Sequence, residues 1–144
     1  MKSRSIFKLE TLEQIQSAYP LMNQLRAHLN ETDYMNLVRE SQEKEAYQLL
    51  ALYDEEKMVA LIGFQEMVTL YYGRFIWVCD LVTDDSSRSK GYGEELLTYV
   101  HEWAKNQGYA TVALSSGLQR TMAHRFYEEK MDYDKVSYVF KKNL

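Results

Sequence analysis

The chain has 144 residues, 46% of them hydrophobic and 26% charged, which fits one domain over residues 1–144 built on a single core. A formal net charge of −4 supplies no basic field, which argues against nucleic acid and anionic membranes as partners unless a local patch recruits them. Cys79 is the only cysteine, so neither an intrachain disulfide nor a thiolate metal cluster can form, and a reducing cytoplasm is the expected home.

The amino-terminal MKSRSIFKLE carries basic residues with no apolar stretch behind them, and nowhere do about 18 apolar residues run together, so neither a leader nor a membrane span is expected. Thr11 and Gln14 form a capping box, and Leu12, Ile15, Tyr19, Met22 and Leu25 follow at near-helical spacing, with Pro20 dividing or kinking the helix. A second helix is expected from about Thr32, its apolar side made by Tyr34, Leu37 and Val38. From Tyr47 the period changes: YQLLALY, the turn DEEK and MVALIGFQEMV predict two buried strands in hairpin order, and FIWVCDLV a third after the turn at Gly73.

Gly93 to Asn106 is the strongest helix, with Leu96, Leu97, Val100, Trp103 and Ala104 on one face and Gly108 at its end. A strand YATVALS, a short helix over Thr121 to Lys130 and a half-exposed strand VSYVFKK complete the chain. Adjacent strands early and strand, helix, strand later imply an α/β fold, a mixed sheet flanked by helices.

Between the third strand and the long helix stands RSKGYG, Arg88 to Gly93. A helix start leaves backbone N–H groups without partners and carries the positive end of the macrodipole, which makes it an anion site. Gly91 and Gly93 let the backbone approach a phosphate closely, and Arg88 and Lys90 add full charge at the rim. The stretch lacks both the P-loop pattern and the first glycine of the dinucleotide fingerprint.

These residues resemble the GNAT superfamily of N-acetyltransferases, whose pyrophosphate-binding motif reads Arg/Gln-x-x-Gly-x-Gly/Ala between a strand and a long helix. Arg88, Gly91 and Gly93 stand at its defined positions. The resemblance implies acetyl coenzyme A as cosubstrate, no metal, and cofactor contacts from Arg88, Ser89, Lys90, Gly91, Tyr92 and Gly93. It implies too that the preceding strand, in DLVT, bulges and offers backbone groups around Leu81 and Val82 to the pantetheine arm. AHRFYEEK is similar to the family's Ala-x-x-Phe-Tyr helix and puts Tyr127 where a phenol commonly lies near the sulfur. The chain departs from the family at Arg120, where asparagine is frequent, and at Met131, Asp132 and Tyr133, which replace Gly-Phe with one extra residue.

The implied reaction is direct transfer of an acetyl group to a primary amine of a small molecule or peptide. Tyr127 is then the candidate acid, against the alternative that a Phe-Tyr pair only packs. Asp80 is a candidate base, as is Glu66, each in an apolar strand where burial would raise its pKa, with ordered water as the alternative to both. Cys79 reads as a small buried hydrophobe, since direct transfer needs no acyl-cysteine. Ser115, Ser116 and Gly117 are candidates for lining the acceptor pocket or an ordinary strand exit. The acidic chain points toward a cationic acceptor such as a polyamine, a lysine side chain or an aminoglycoside. A homodimer is the family-level expectation. Two other readings stay open on the sequence: a catalytically silent acyl-CoA sensor or interaction module, and a structural turn with no ligand.

Overall fold

The first regular element is a strand, β1 (Arg4–Lys8), in a computed structural model that describes residues 3–144. It pairs antiparallel with β2 (Gln48–Asp54), Ile6 opposite Leu52. Nothing in RSIFK predicts it, because two adjacent apolar residues show no strand period. The edge that β2 offers makes this segment a strand.

The helices form where capping directs them. α1 (Leu12–Ser17) opens on the expected capping box: the Gln14 N–H donates to Thr11 Oγ1 at 3.1 Å, and the Thr11 N–H donates to Gln14 Oε1 at 3.0 Å. The chain turns at Ala18 into α2 (Tyr19–Leu25), where Pro20 sits in the first turn and its missing N–H costs nothing. α3 (Glu31–Glu45) is capped by Asn30, whose Oδ1 accepts from the Asp33 N–H at 2.8 Å.

β2, β3 (Lys57–Thr69) and β4 (Gly73–Thr83) then form an antiparallel meander. α4 (Tyr92–Asn106) carries the chain back to the start of β4, where the Ile76 N–H donates to Thr111 O at 3.1 Å, and β5 (Val112–Leu114) completes the order β1-β2-β3-β4-β5. This strand, helix, neighbouring strand crossover makes the sheet mixed, as expected.

Strand alternation divides the buried side chains between two layers. Leu49, Ala51 and Leu61 pack with Ile15, Met22, Tyr34 and Val38 of the first three helices. On the other face Phe64 meets Trp103 of α4 at 5.2 Å between ring centroids, beside the fully buried Leu96, Leu97 and Val100. Each such side chain stabilises the fold by about 1.5–3 kcal/mol.

The described residues up to Ala113 form one compact unit and Leu114–Leu144 a second. In the second, α5 (Thr121–Arg125) runs into a single π turn, Phe126–Lys130, where the Met131 N–H donates to Phe126 O at 3.0 Å. The predicted terminal strand VSYVFKK is absent: residues 131–144 carry neither helix nor strand, and Val136, Tyr138, Val139 and Phe140 are exposed. YATVALS likewise shortens to Val112–Leu114. Alternating polarity permits a strand, and only a partner edge makes one.

Candidate active site

The loop between β4 and α4 is held from below by one carboxylate. Asp84 Oδ1 accepts from Gln24 Nε2 at 3.0 Å, while Oδ2 accepts from Ser86 Oγ at 2.9 Å and lies 3.1 Å from Lys57 Nζ. The hydrogen bonds from Gln24, Lys57 and Ser86 hold its carboxyl well below the usual range. Gln24 Oε1 in turn accepts from the Asp85 N–H at 2.9 Å, so one glutamine clamps both residues. Sequence reasoning passed over Asp84, two of whose partners, Lys57 and Gln24, lie 27 and 60 residues away.

Above this anchor the backbone curls into α4. Ser89 has φ +67°, and Gly91, the N-cap of α4, has φ +80°, a conformation that costs other residues about 1–2 kcal/mol. No side chain caps the helix, and nothing lies within 4 Å of where a Gly91 Cβ would stand. First-turn amides with open space before them suit a phosphate-sized anion. Arg88 is exposed at the rim, its Nη2 donating to Asp85 Oδ1 at 2.8 Å. The Tyr92 side chain turns inward instead: its hydroxyl donates to Asp54 Oδ2 and its ring lies 4.8 Å below the Arg4 guanidinium, leaving the Tyr92 backbone as the part at the turn.

β4 bulges, but earlier than DLVT. Against β3, Phe64 pairs with Val78 and Gly63 with Asp80, so Cys79 is the extra residue. A bulge inverts the facing of the residues after it. Asp80 is thereby turned to the face of α1–α3, while Leu81 and Val82 continue the ladder opposite Ile62 and Leu61. On the other side of β4, a β5 of three residues starting beside Ile76 can reach only about to the bulge.

Asp80 is the centre of this face. Arg26, just past the end of α2, donates from Nε to Asp80 Oδ1 at 3.0 Å and from Nη2 to Cys79 O at 2.8 Å, which satisfies the carbonyl that the bulge takes out of the ladder. Tyr47 donates its hydroxyl to Asp80 Oδ2 at 2.7 Å. Burial, then the Asp80 charge, hold the Tyr47 phenol well above its usual range. These groups line a cavity of about 400 Å³ whose walls include Met22, Leu29, Leu37 and Val38. Arg26 and Tyr47 escaped the sequence reading because neither belongs to a motif.

The remaining candidates separate. Glu66 lies on the opposite face, accepting from Tyr109 Oη at 2.6 Å and 3.5 Å from Arg74. Burial pushes the Cys79 thiol up to about 12, with Asp80 adding to the shift and Arg26 opposing it, so this thiol is a poor nucleophile. In the second unit, Tyr127 is buried in the π turn, its ring 5.8 Å from that of Tyr133, and burial raises its phenol pKa while Arg120 opposes. Ser116 Oγ is buried there without a partner, and His124 Nε2 lies 2.8 Å from Gly117 O. Among the described residues no group of three acidic, histidine or cysteine side chains could hold a metal, and no helix is long and apolar enough to cross a membrane.

The family model described as Acetyltransferase (GNAT) family matches residues 9–133. The chain is 42% identical over 135 residues to the uncharacterized N-acetyltransferase YhdJ of Bacillus subtilis (strain 168), covering 94% of this chain and 95% of that one. Among solved structures, the aminoglycoside N-acetyltransferase AAC(6')-Iy in complex with coenzyme A superposes with a TM-score of 0.85 at 12% identity, over 100% of this chain and 96% of that one. A transcriptional regulator from Bacillus halodurans C-125 superposes nearly as well, with a TM-score of 0.84 at 19% identity over 99% and 100%. At such identities the two structures speak for the fold alone.

Proposed function

This chain belongs to the acetyltransferase (GNAT) family and is an acyltransferase; from that premise we propose that it moves the acetyl group of acetyl coenzyme A directly to a primary amine of a small molecule or peptide. The observation that carries the reading is the turn at Gly91: a left-handed N-cap with no side-chain cap, opening a 15-residue helix behind a bulged strand. The thioester supplies the activated acetyl group. The first-turn amides of α4, with Arg88 and Lys90 at the rim, hold the diphosphate, and the backbone of Leu81 and Val82 takes the pantetheine arm. Ser89 and Gly91 shape the turn with their positive φ, Tyr92 contributes its backbone, and Gly93, with no side chain, is assigned to close approach by its place in the motif.

An ammonium cannot attack a carbonyl, so the amine must lose a proton. Asp80 accepts it, directly or through a water, since it is the carboxylate that the bulge turns to the cavity. Tyr127 protonates the departing thiolate; its raised pKa keeps the phenol protonated through neutral pH. We take residues 1–144 as one catalytic domain, a reading supported by a family match over residues 9–133 that reaches into both compact units, and place it in the cytoplasm on the strength of its single cysteine.

Calorimetric titration of acetyl coenzyme A into the native chain and into Arg88→Ala/Gly91→Asp tests the cofactor site. Micromolar binding that the double variant loses supports it, and no binding by the native chain ends the proposal.

A further inference from the structure

We infer that the acceptor is a free amino acid with an apolar side chain, held in the cavity beneath β4 by its own carboxylate as well as its amine. The inference rests on the reading that this cavity is the acceptor side of the transfer reaction. About 400 Å³ suits a small molecule, and Met22, Leu29, Leu37 and Val38 provide an apolar wall.

The charged groups set the class. Of the five N–H groups of Arg26, two are engaged, by Asp80 and by Cys79 O, which leaves three for a ligand. A free guanidinium edge beside an apolar wall is a carboxylate site. Each Asp80 oxygen accepts one bond, from Arg26 and from Tyr47, and a carboxylate offers about four positions, so about two remain for an ammonium. Opposite charges side by side match a zwitterion. The ionisable groups lining the cavity other than tyrosine and cysteine are Arg26, His28 and Asp80, so a polyamine or aminoglycoside would meet a single carboxylate already paired to arginine. The acidic net charge of the whole chain, which points toward a cationic acceptor, is not concentrated at this cavity.

The test is calorimetric titration of leucine, methionine, phenylalanine, 3-methylbutylamine and spermidine into the whole chain, with and without coenzyme A. Leucine is expected to bind at least about tenfold more tightly than 3-methylbutylamine, which lacks only the carboxylate. Arg26→Gln should bring the two within about threefold, and Arg26→Lys, which preserves the charge beside Asp80 but loses the planar fork, should reduce the gap. Equal binding of the two ligands by the native chain, tighter binding of spermidine, or no binding of leucine, methionine or phenylalanine in either condition overturns the assignment. Thiol release from acetyl coenzyme A, followed separately, distinguishes the two readings. Leucine binding without thiol release sinks the transfer reaction and leaves the ligand class standing; thiol release with spermidine and no leucine binding does the reverse.

Discussion

The hydroxyl of Tyr47 reaches Asp80 Oδ2 at 2.7 Å across the backbone of Gly63, and it does so because Gly63 has no side chain. A Cβ built at Gly63 would stand 1.8 Å from the Tyr47 oxygen. Gly63 pairs with Asp80 at the bulge, so one glycine permits both the ring position and the contact. Gly63→Ala must therefore displace a buried ring, with an expected loss of about 1–3 kcal/mol of stability by urea unfolding. A change below about 0.5 kcal/mol would mean that Tyr47 does not sit there.

Arg88 is held by Asp85 at 2.8 Å, and a cofactor phosphate would compete for the same guanidinium. Asp85→Asn should tighten acetyl coenzyme A binding by about 1.4- to fivefold at low salt, since exposed pairs are worth about 0.2–1 kcal/mol. The gain should shrink as salt is added. An unchanged affinity at low salt would place Arg88 outside the phosphate site.

Tyr127→Phe removes the proposed proton donor and retains the buried ring. Loss of about 10²- to 10⁴-fold in kcat with unchanged acetyl coenzyme A affinity is expected for a general acid. Wild-type turnover in the variant would leave Tyr127 as a packing residue.

Burial raises the phenol pKa of Tyr34, Tyr47, Tyr127 and Tyr133. A group with a raised folded pKa contributes stability that is complete below its unfolded value, about 10 for tyrosine, and lost as pH rises through the folded value. Unfolding free energy should therefore fall above about pH 10, by up to about 1.4 kcal/mol per pH unit for each phenol kept neutral. Tyr34→Phe should flatten that decline in urea titrations at pH 9 to 11; an unaltered slope would place this phenol in water.

With its thiol pushed up to about 12, Cys79 should resist a thiol reagent at pH 8 in the folded chain and react fully once unfolded. Cys79→Ala should keep turnover within about threefold, as direct transfer requires. Trapping of an acetylated Cys79 would replace that chemistry with a two-step one.

Much of the fold was legible in local pattern. The capping box at Thr11, the long helix behind Gly91 and the three central strands lie where their periodicities put them, because capping and amphipathic spacing act over a few residues. RSKGYG announced a special helix start for the same reason: a left-handed N-cap selects glycine locally. β1 and the missing terminal strand were illegible, since each depends on whether a distant edge is available.

By itself, then, the sequence determined the α/β class, the order of its central elements and the position of the glycine turn that opens α4, all consequences of interactions between near neighbours. The tertiary structure alone decided which face Asp80 occupies. An inserted residue at Cys79 inverts the strand's facing, and that insertion exists only relative to β3. The pairing of Asp80 with Arg26, 54 positions earlier, and with Tyr47 depends on it, because a carboxylate finds such partners only after helices and sheet have packed.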